Sequence, residues 1–196
     1  MKQGPMKKGS SNDFQTPGEA LWPLFPYLPK SWTVWECAAG DGNLVREFER
    51  RGYTVTASDI LEATDIQIDD HTTHRPLSRD FLRWAPDNFD CIVTNPPFSL
   101  KQQFLERCYS LGKPFALLLP LTTFETPKRQ ALFRKHGVQV IFFDKRINFT
   151  TPSGEGSGSW FATAWFTWGL NLPHDLNFVM FKDIRMVPFE DDSGRR

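Results

Sequence analysis

Two adjacent prolines, Pro96 and Pro97, stand directly after the apolar run at 89–94. The run reads as a buried parallel strand. Proline fixes its own φ and drives the residue before it out of helical geometry. The strand must therefore stop at Asn95, and the chain leaves it through a stiff corner, Asn95-Pro96-Pro97-Phe98. Such a corner holds out an amide and a flat apolar ring at a strand end. That suits a planar substrate, and it also suits a plain turn.

The segments around the corner read as strands alternating with helices. Thr16 is read as an N-cap with Pro17 at the first helical position of a short helix, 18–25. A strand at 33–38 runs into the small turn Ala39-Gly40-Asp41-Gly42. A helix at 43–51 follows, with Leu44, Val45 and Phe48 at helical spacing and Gly52 as its stop. The strand 53–57 then ends at Ser58-Asp59. Residues 61–79 are polar and poorly periodic, an irregular connection with one short strand. After the corner come a helix at 100–111 (Phe104, Leu105, Cys108 and Leu111 on one face), an apolar strand at 114–119, a helix at 127–136, a strand at 138–143, a Gly/Ser-rich loop at 144–159 and a strand at 160–168. An edge strand is expected near 178–181. The alternation predicts an α/β fold with a mostly parallel, seven-stranded sheet and an antiparallel edge hairpin. Residues 1–12 read as a disordered basic tail, 13–170 as one domain and 171–196 as a C-terminal extension.

Lys+Arg and Asp+Glu are equal at 23 each, so net charge gives no general case for nucleic acid, although a local basic face is compatible with it. Three cysteines, Cys37, Cys91 and Cys108, lack metal-ligand spacing and read as buried free thiols. No metal site is expected. Apolar runs fall short of the ~18 residues of a transmembrane helix, and the start of the chain lacks the apolar core of a secretory signal. The expectation is a soluble cytoplasmic protein. Seven Trp and eighteen Phe are many for 196 residues, enough to fill a core and leave rings for stacking.

Chemistry-bearing residues fall into five groups. Glu36, Ala38, Gly40 and Gly42 lie between a strand and a helix, where small residues let a ligand approach the helix's positive end. Asp59, with Ile60 after it, ends the next strand, where a carboxylate accepts ribose hydroxyl hydrogens. Position 45, where a dinucleotide fingerprint has its third glycine, is Val45. The remaining groups are the corner itself, the pair Asp80-Phe81, the stretch Asp13-Phe14-Gln15-Thr16-Pro17, and a loop with Lys145, Arg146, Asn148, Phe149 and Trp160. Lys101, Lys128 and Arg129 follow strand ends and could flank the same rim.

Glu-x-Ala-x-Gly-x-Gly followed by Asn-Pro-Pro-Phe resembles the class I S-adenosylmethionine-dependent N6-adenine methyltransferases. The motif order over 13–168 is similar to the gamma arrangement of DNA adenine methyltransferases, small phage-type ones in particular. The resemblance implies a Rossmann-like fold and S-adenosylmethionine as cofactor, with S-adenosylhomocysteine as product. It implies that Asn95 and the Pro96 carbonyl accept the hydrogens of the target amine, with Pro97 in the same rigid corner and Phe98 stacking on the base. Phe14, Thr16 and Pro17 would close over the methionine end of the cofactor, Glu36, Ala38, Gly40, Gly42, Asp59 and Ile60 would hold it, and Asp80 and Phe81 would meet its adenine. Lys101, Lys145, Arg146 and Trp160 are the expected substrate contacts. Ala38 departs from the usual glycine. No target-recognition domain of the usual size is present, which implies a very short target, near sequence independence or a partner subunit. DNA is the preferred polymer. RNA remains open, as do protein-glutamine N5 methylation and a catalytically dead nucleic-acid-binding module.

Overall fold

The computed structural model describes residues 14–62, 64–150 and 161–181. Asp13, Trp160, the 1–12 tail, most of the Gly/Ser-rich loop and the charged end lie outside these residues. The strands are β1 (Thr33–Glu36), β2 (Thr54–Asp59), β3 (Ile66–Gln67), β4 (Thr73–His74), β5 (Leu77–Ser78), β6 (Cys91–Thr94), β7 (Phe115–Pro120), β8 (Gln139–Phe143), β9 (Thr163–Trp168) and β10 (Leu176–Val179). The α-helices are α1 (Asn43–Arg50), α2 (Lys101–Leu111) and α3 (Pro127–His136).

Eight strands form one sheet in the order β10-β8-β9-β7-β6-β1-β2-β5. All neighbours run parallel except where β9 meets β7 and β8, so the sheet is the expected mostly parallel one with its antiparallel hairpin toward one end. Two details refine the expectation. β9 slots between β7 and β8 rather than lying outside them, and β10 is added parallel to β8 beyond residue 170. The eighth strand is β5, only two residues long, paired to the tip of β2 through Ser58–Leu77 and Asp59–Ser78. Leu77-Ser78-Arg79 is too short to show strand periodicity, and both strand residues are exposed, so backbone pairing rather than side-chain burial makes this edge.

The connection at 61–79 holds three short strands where one was expected, because β3 and β4 also pair as a small antiparallel ribbon over the turn after β1. The Thr16 cap is also corrected. The first helical segment is a 3₁₀ helix, Gly18–Tyr27, whose cap position is Pro17 and which has no side-chain cap bond. Pro23 and Pro26 lie inside it, and each removes a backbone donor that an α-helix would need. Leu111 is only partly buried on α2, its expected place on the buried face being taken by Tyr109.

The core lies on both faces of the sheet. One layer packs Leu21, Leu24, Phe48, Leu118 and Trp165, the other Trp35, Phe104, Leu105, Leu117 and Phe166. All six residues of β7 are buried, which accounts for its unbroken apolar sequence. The three cysteines are free and buried, and burial raises all three thiols, Cys91 to about 12. Among the described residues, no helix is long and apolar enough to cross a membrane.

The chain winds outward from β1 to β2 and β5, then returns to β6 on the other side of β1. The connections after β1 and β6 therefore diverge. The crevice they leave at the carboxyl ends of the strands is where open α/β sheets take ligands.

Candidate active site

The turn after β1 is built for close approach. Gly40 and Gly42 have φ of 50° and 81°, the left-handed region that favours glycine. A Cβ on Gly42 would lie 2.5 Å from Ile66 side-chain atoms of β3, and one on Gly40 2.8 Å from Gln15 Oε1. Asp59, at the tip of β2, braces the turn: Oδ2 accepts from the Gly40 amide at 2.9 Å, and Oδ1 accepts from the Leu61 amide at 2.9 Å. Each carboxylate oxygen keeps acceptor capacity for a further donor. Ile60 beside it is 53% exposed, an apolar side chain held in solvent next to the carboxylate.

Glu36 is buried, and its Oε1 accepts from the Ala38 amide at 3.0 Å. Burial pushes its carboxyl up to about 8, opposed by the neighbouring Thr94 hydroxyl and the Ala38 amide and reinforced by Asp59. The folded protein therefore holds a proton that the unfolded chain releases between about pH 4.5 and 8, so this residue's contribution to stability falls across that window as pH rises and levels off above it. Glu36→Gln is expected to flatten this slope. Thermal midpoints of both proteins across pH 5–9 (a range of roughly 4 units about the shifted value) check it, and parallel curves would contradict it.

The corner follows β6. Pro96 is buried, Pro97 takes φ −54° and ψ 122°, and Phe98 opens a single 3₁₀ turn into α2. Asn95 Nδ2 donates to the Phe14 carbonyl at 3.1 Å. Its Oδ1 is buried and has no hydrogen-bond partner. A buried acceptor without a donor costs roughly 1–3 kcal/mol, so this oxygen is an acceptor with capacity for a donor that the described residues do not supply. Thr16 Oγ1 is buried and unpartnered in the same way.

Phe14 stacks on Phe98 with centroids 5.6 Å apart and 26° between planes. Phe149 and Phe161 meet both rings, edge-on to Phe98 at 6.3 and 5.4 Å. Phe14 thus covers part of the ring assigned to base stacking. Gln15, Phe149 and Phe161 pack at the candidate site; the sequence reading named Gln15 and Phe149 only as members of candidate stretches, without a role of their own, and did not name Phe161. The signal for the phenylalanines was the aromatic excess, and for Gln15 its place inside the Phe14–Thr16 stretch.

Asp80 follows β5. Its Oδ1 accepts from the Leu82 amide at 2.9 Å, and it pairs with Arg83 at 3.4 Å. The Phe81 ring is spent on the core, stacked on Phe104 at 4.5 Å, which leaves only its backbone for a ligand.

The expected basic rim is only partly there. Lys101 Nζ donates to the Phe98 carbonyl at 3.3 Å, and its ammonium is lowered by burial and by Arg129. Lys128 is paired to Glu106 at 2.8 Å, and Arg129 is buried with its guanidinium on the Thr122 and Thr123 carbonyls. Arg129 is therefore corrected from a rim contact to a structural residue, because its guanidinium is buried on backbone carbonyls, while Lys128 stays exposed in a surface pair with Glu106. Lys145 and Arg146 are exposed, with Lys145 Nζ over the Phe181 ring at 4.3 Å. Trp160 lies outside the described residues.

No protein-family model matches the chain, and no curated protein does. Solved structures do. A type I restriction-modification methyltransferase subunit from Streptococcus thermophilus superposes with a TM-score of 0.58 at 16% identity, over 89% of this chain and 48% of its own. This chain thus spans about half the length of that subunit. A putative class I S-adenosylmethionine-dependent methyltransferase from Listeria monocytogenes gives 0.58 at 14% identity, over 89% and 68%. A putative RNA methyltransferase from Pyrococcus horikoshii gives 0.56 at 14% identity, over 83% and 90%.

The chain has the class I methyltransferase fold. Its glycine turn stands at the end of β1, with Asp59 at the end of β2 and the proline corner at the end of β6 on either side.

Proposed function

We propose that this chain transfers a methyl group from S-adenosylmethionine to the N6 amine of adenine in nucleic acid, DNA in preference to RNA. The observation that carries this reading is the Asn95 amide: Nδ2 is held by the Phe14 carbonyl, and Oδ1 is buried with no donor. An exocyclic amine supplies that donor.

The residues of the turn fit the cofactor. Gly40 and Gly42 give the left-handed turn that lets Gln15 and Ile66 pack closely on it, Asp59 offers acceptors for ribose hydroxyls, and Glu36 and the buried Thr16 hydroxyl offer polar atoms nearby. Bound there, S-adenosylmethionine supplies an electrophilic sulfonium methyl. The protein's work is on the amine, whose lone pair is delocalised into the adenine ring. Asn95 Oδ1 and the Pro96 carbonyl accept its two hydrogens, which favours a pyramidal nitrogen with its lone pair toward the methyl carbon. Held this way, the nitrogen would be aimed at the methyl group that the cofactor would supply, and the surplus amine proton would pass to water. Positioning and fixed dipoles supply the rate, and the step asks for no metal or covalent intermediate. In duplex DNA the adenine must first leave the stack, at a cost of a few kcal/mol. Phe98 would receive it on surface left by Phe14. The exposed Lys145 and Arg146 would contact phosphate, and a partner subunit would supply target recognition.

Incubation with methyl-labelled S-adenosylmethionine and either DNA or RNA, followed by nucleoside mass spectrometry, tests this. Label in N6-methyldeoxyadenosine is the expected result. Label in RNA alone moves the reading to that polymer, and label in neither polymer refutes it. Asp59→Ala removes both the ribose acceptors and the brace on Gly40. Its cofactor affinity, measured by calorimetry, is expected to fall about 100-fold, since hydrogen bonds to a charged partner are worth roughly 1.5–3 kcal/mol each. A fall of less than about threefold would remove Asp59 from the cofactor site.

A further inference from the structure

A short strap, Phe14 to Thr16, joins the proline corner to the glycine turn. The Phe14 carbonyl holds Asn95 Nδ2 at 3.1 Å, and the Phe14 ring stacks on Phe98. Gln15 Oε1 accepts from the Asp41 amide in the glycine turn at 3.0 Å. The Gln15 backbone bridges Thr150, amide to carbonyl in both directions at 2.9 and 3.0 Å. The Gln15 side-chain amide also lies directly over Gly40, within 2.8–3.0 Å of where a Cβ would stand.

We propose that Gln15 is a positioning residue that ties the glycine turn to Asn95, so that an occupied cofactor site sets the Asn95 amide in the orientation that accepts the target amine. The inference rests on the methyl-transfer reading above.

The physical argument is one of hydrogen-bond sign. An asparagine amide has two orientations of nearly equal shape, one presenting oxygen to the target and the other NH₂. A target amine donates, so NH₂ facing it would repel it. The orientation is fixed here because the Phe14 carbonyl only accepts, and Nδ2 must turn toward it. Asn95 is therefore as well set as the Phe14 carbonyl is. That carbonyl belongs to a segment outside any α-helix or sheet strand, pinned beside it by the Thr150 bridge and the Gln15–Asp41 bond. Asp41 sits between the two left-handed glycines, in the part of the turn a cofactor would press on. A shift or stiffening of the turn passes through Gln15 to Phe14 and then to Asn95. By linkage the route runs both ways, so an acceptor seated on Asn95 tightens the cofactor by the same factor, typically 5–150-fold in coupled sites.

The test follows the Asn95 side-chain NH₂ by NMR in the full chain, with S-adenosylhomocysteine as the probe. In wild-type protein, binding is expected to shift the Asn95 Nδ2 resonances and to slow exchange of their protons at least fivefold. Gln15→Ala is expected to bind the probe within about fivefold of wild type by calorimetry, while the Asn95 protons slow less than twofold. Gln15→Glu keeps an acceptor for the Asp41 amide and is expected to retain the response. A full Asn95 response in Gln15→Ala, or none in wild-type protein that binds the probe, overturns the inference alone. Failure of wild-type protein to bind the probe in calorimetry overturns the methyl-transfer reading and this inference together.

Discussion

Asn95→Ala is expected to lower the rate of methyl transfer about 10²–10³-fold, the cost of removing one preorganised polar group from a transition state, while S-adenosylhomocysteine affinity stays within about threefold. The separation follows from geometry. Asn95 leaves β6 on one side of β1, Asp59 ends β2 on the other, and the glycine turn follows β1 between them. The alanine variant loses the acceptor that shapes the amine and leaves the Phe14 carbonyl without its donor, but it keeps every bond of the turn. Asn95→Asp retains oxygens that accept and loses the Nδ2–H bond to Phe14. Its rate is expected between those of alanine and wild type. Single-turnover rates with labelled cofactor, beside calorimetry, make the comparison. A rate for Asn95→Ala within tenfold of wild type would end its assignment as the amine acceptor.

Trp165→Ala is expected to cost about 3–5 kcal/mol of stability, a large part of the 5–15 kcal/mol of an ordinary domain. Trp165 is fully buried in β9, opposite Leu118 on one neighbour and Ile141 on the other. Its indole donates to the Ala20 carbonyl at 2.7 Å, fastening the segment after the strap to the sheet. Truncation leaves a cavity and an unpaired carbonyl together. Phe178→Ala is the control: that ring is 77% exposed on β10, stacked on Phe142, and its loss should cost less than about 1 kcal/mol. Urea titrations that gave the two variants similar midpoints would show that β9 does not anchor the core.

Both predictions draw on residues whose importance was unequally visible in the sequence. Asn95 announces itself, because two prolines after an apolar run admit almost no other backbone. Trp165 does not. One aromatic among many in an apolar strand carries no sign of which face or neighbour it meets. The same contrast runs through the site. Gly40, Gly42 and Asp59 were legible because a strand–turn–helix–strand order is local and has local rules. The loss of Arg129 to the Thr122 and Thr123 carbonyls was not legible, because sequence position places a charge near a rim without saying what lies closer.

By itself the sequence determined the alternation of strands and helices, hence the parallel sheet, and it determined where backbone had to bend: at Gly40, Gly42 and the two prolines. These are properties of φ, of missing Cβ atoms and of missing amide donors, and they act within a few residues. Only the tertiary structure decided that β9 enters between β7 and β8, that four phenylalanines from distant segments gather at the corner, and that the Phe14 carbonyl turns the Asn95 amide. Those outcomes depend on pairing and packing between residues far apart in the chain, where many partners are chemically equivalent and only the closed fold brings one of them within reach.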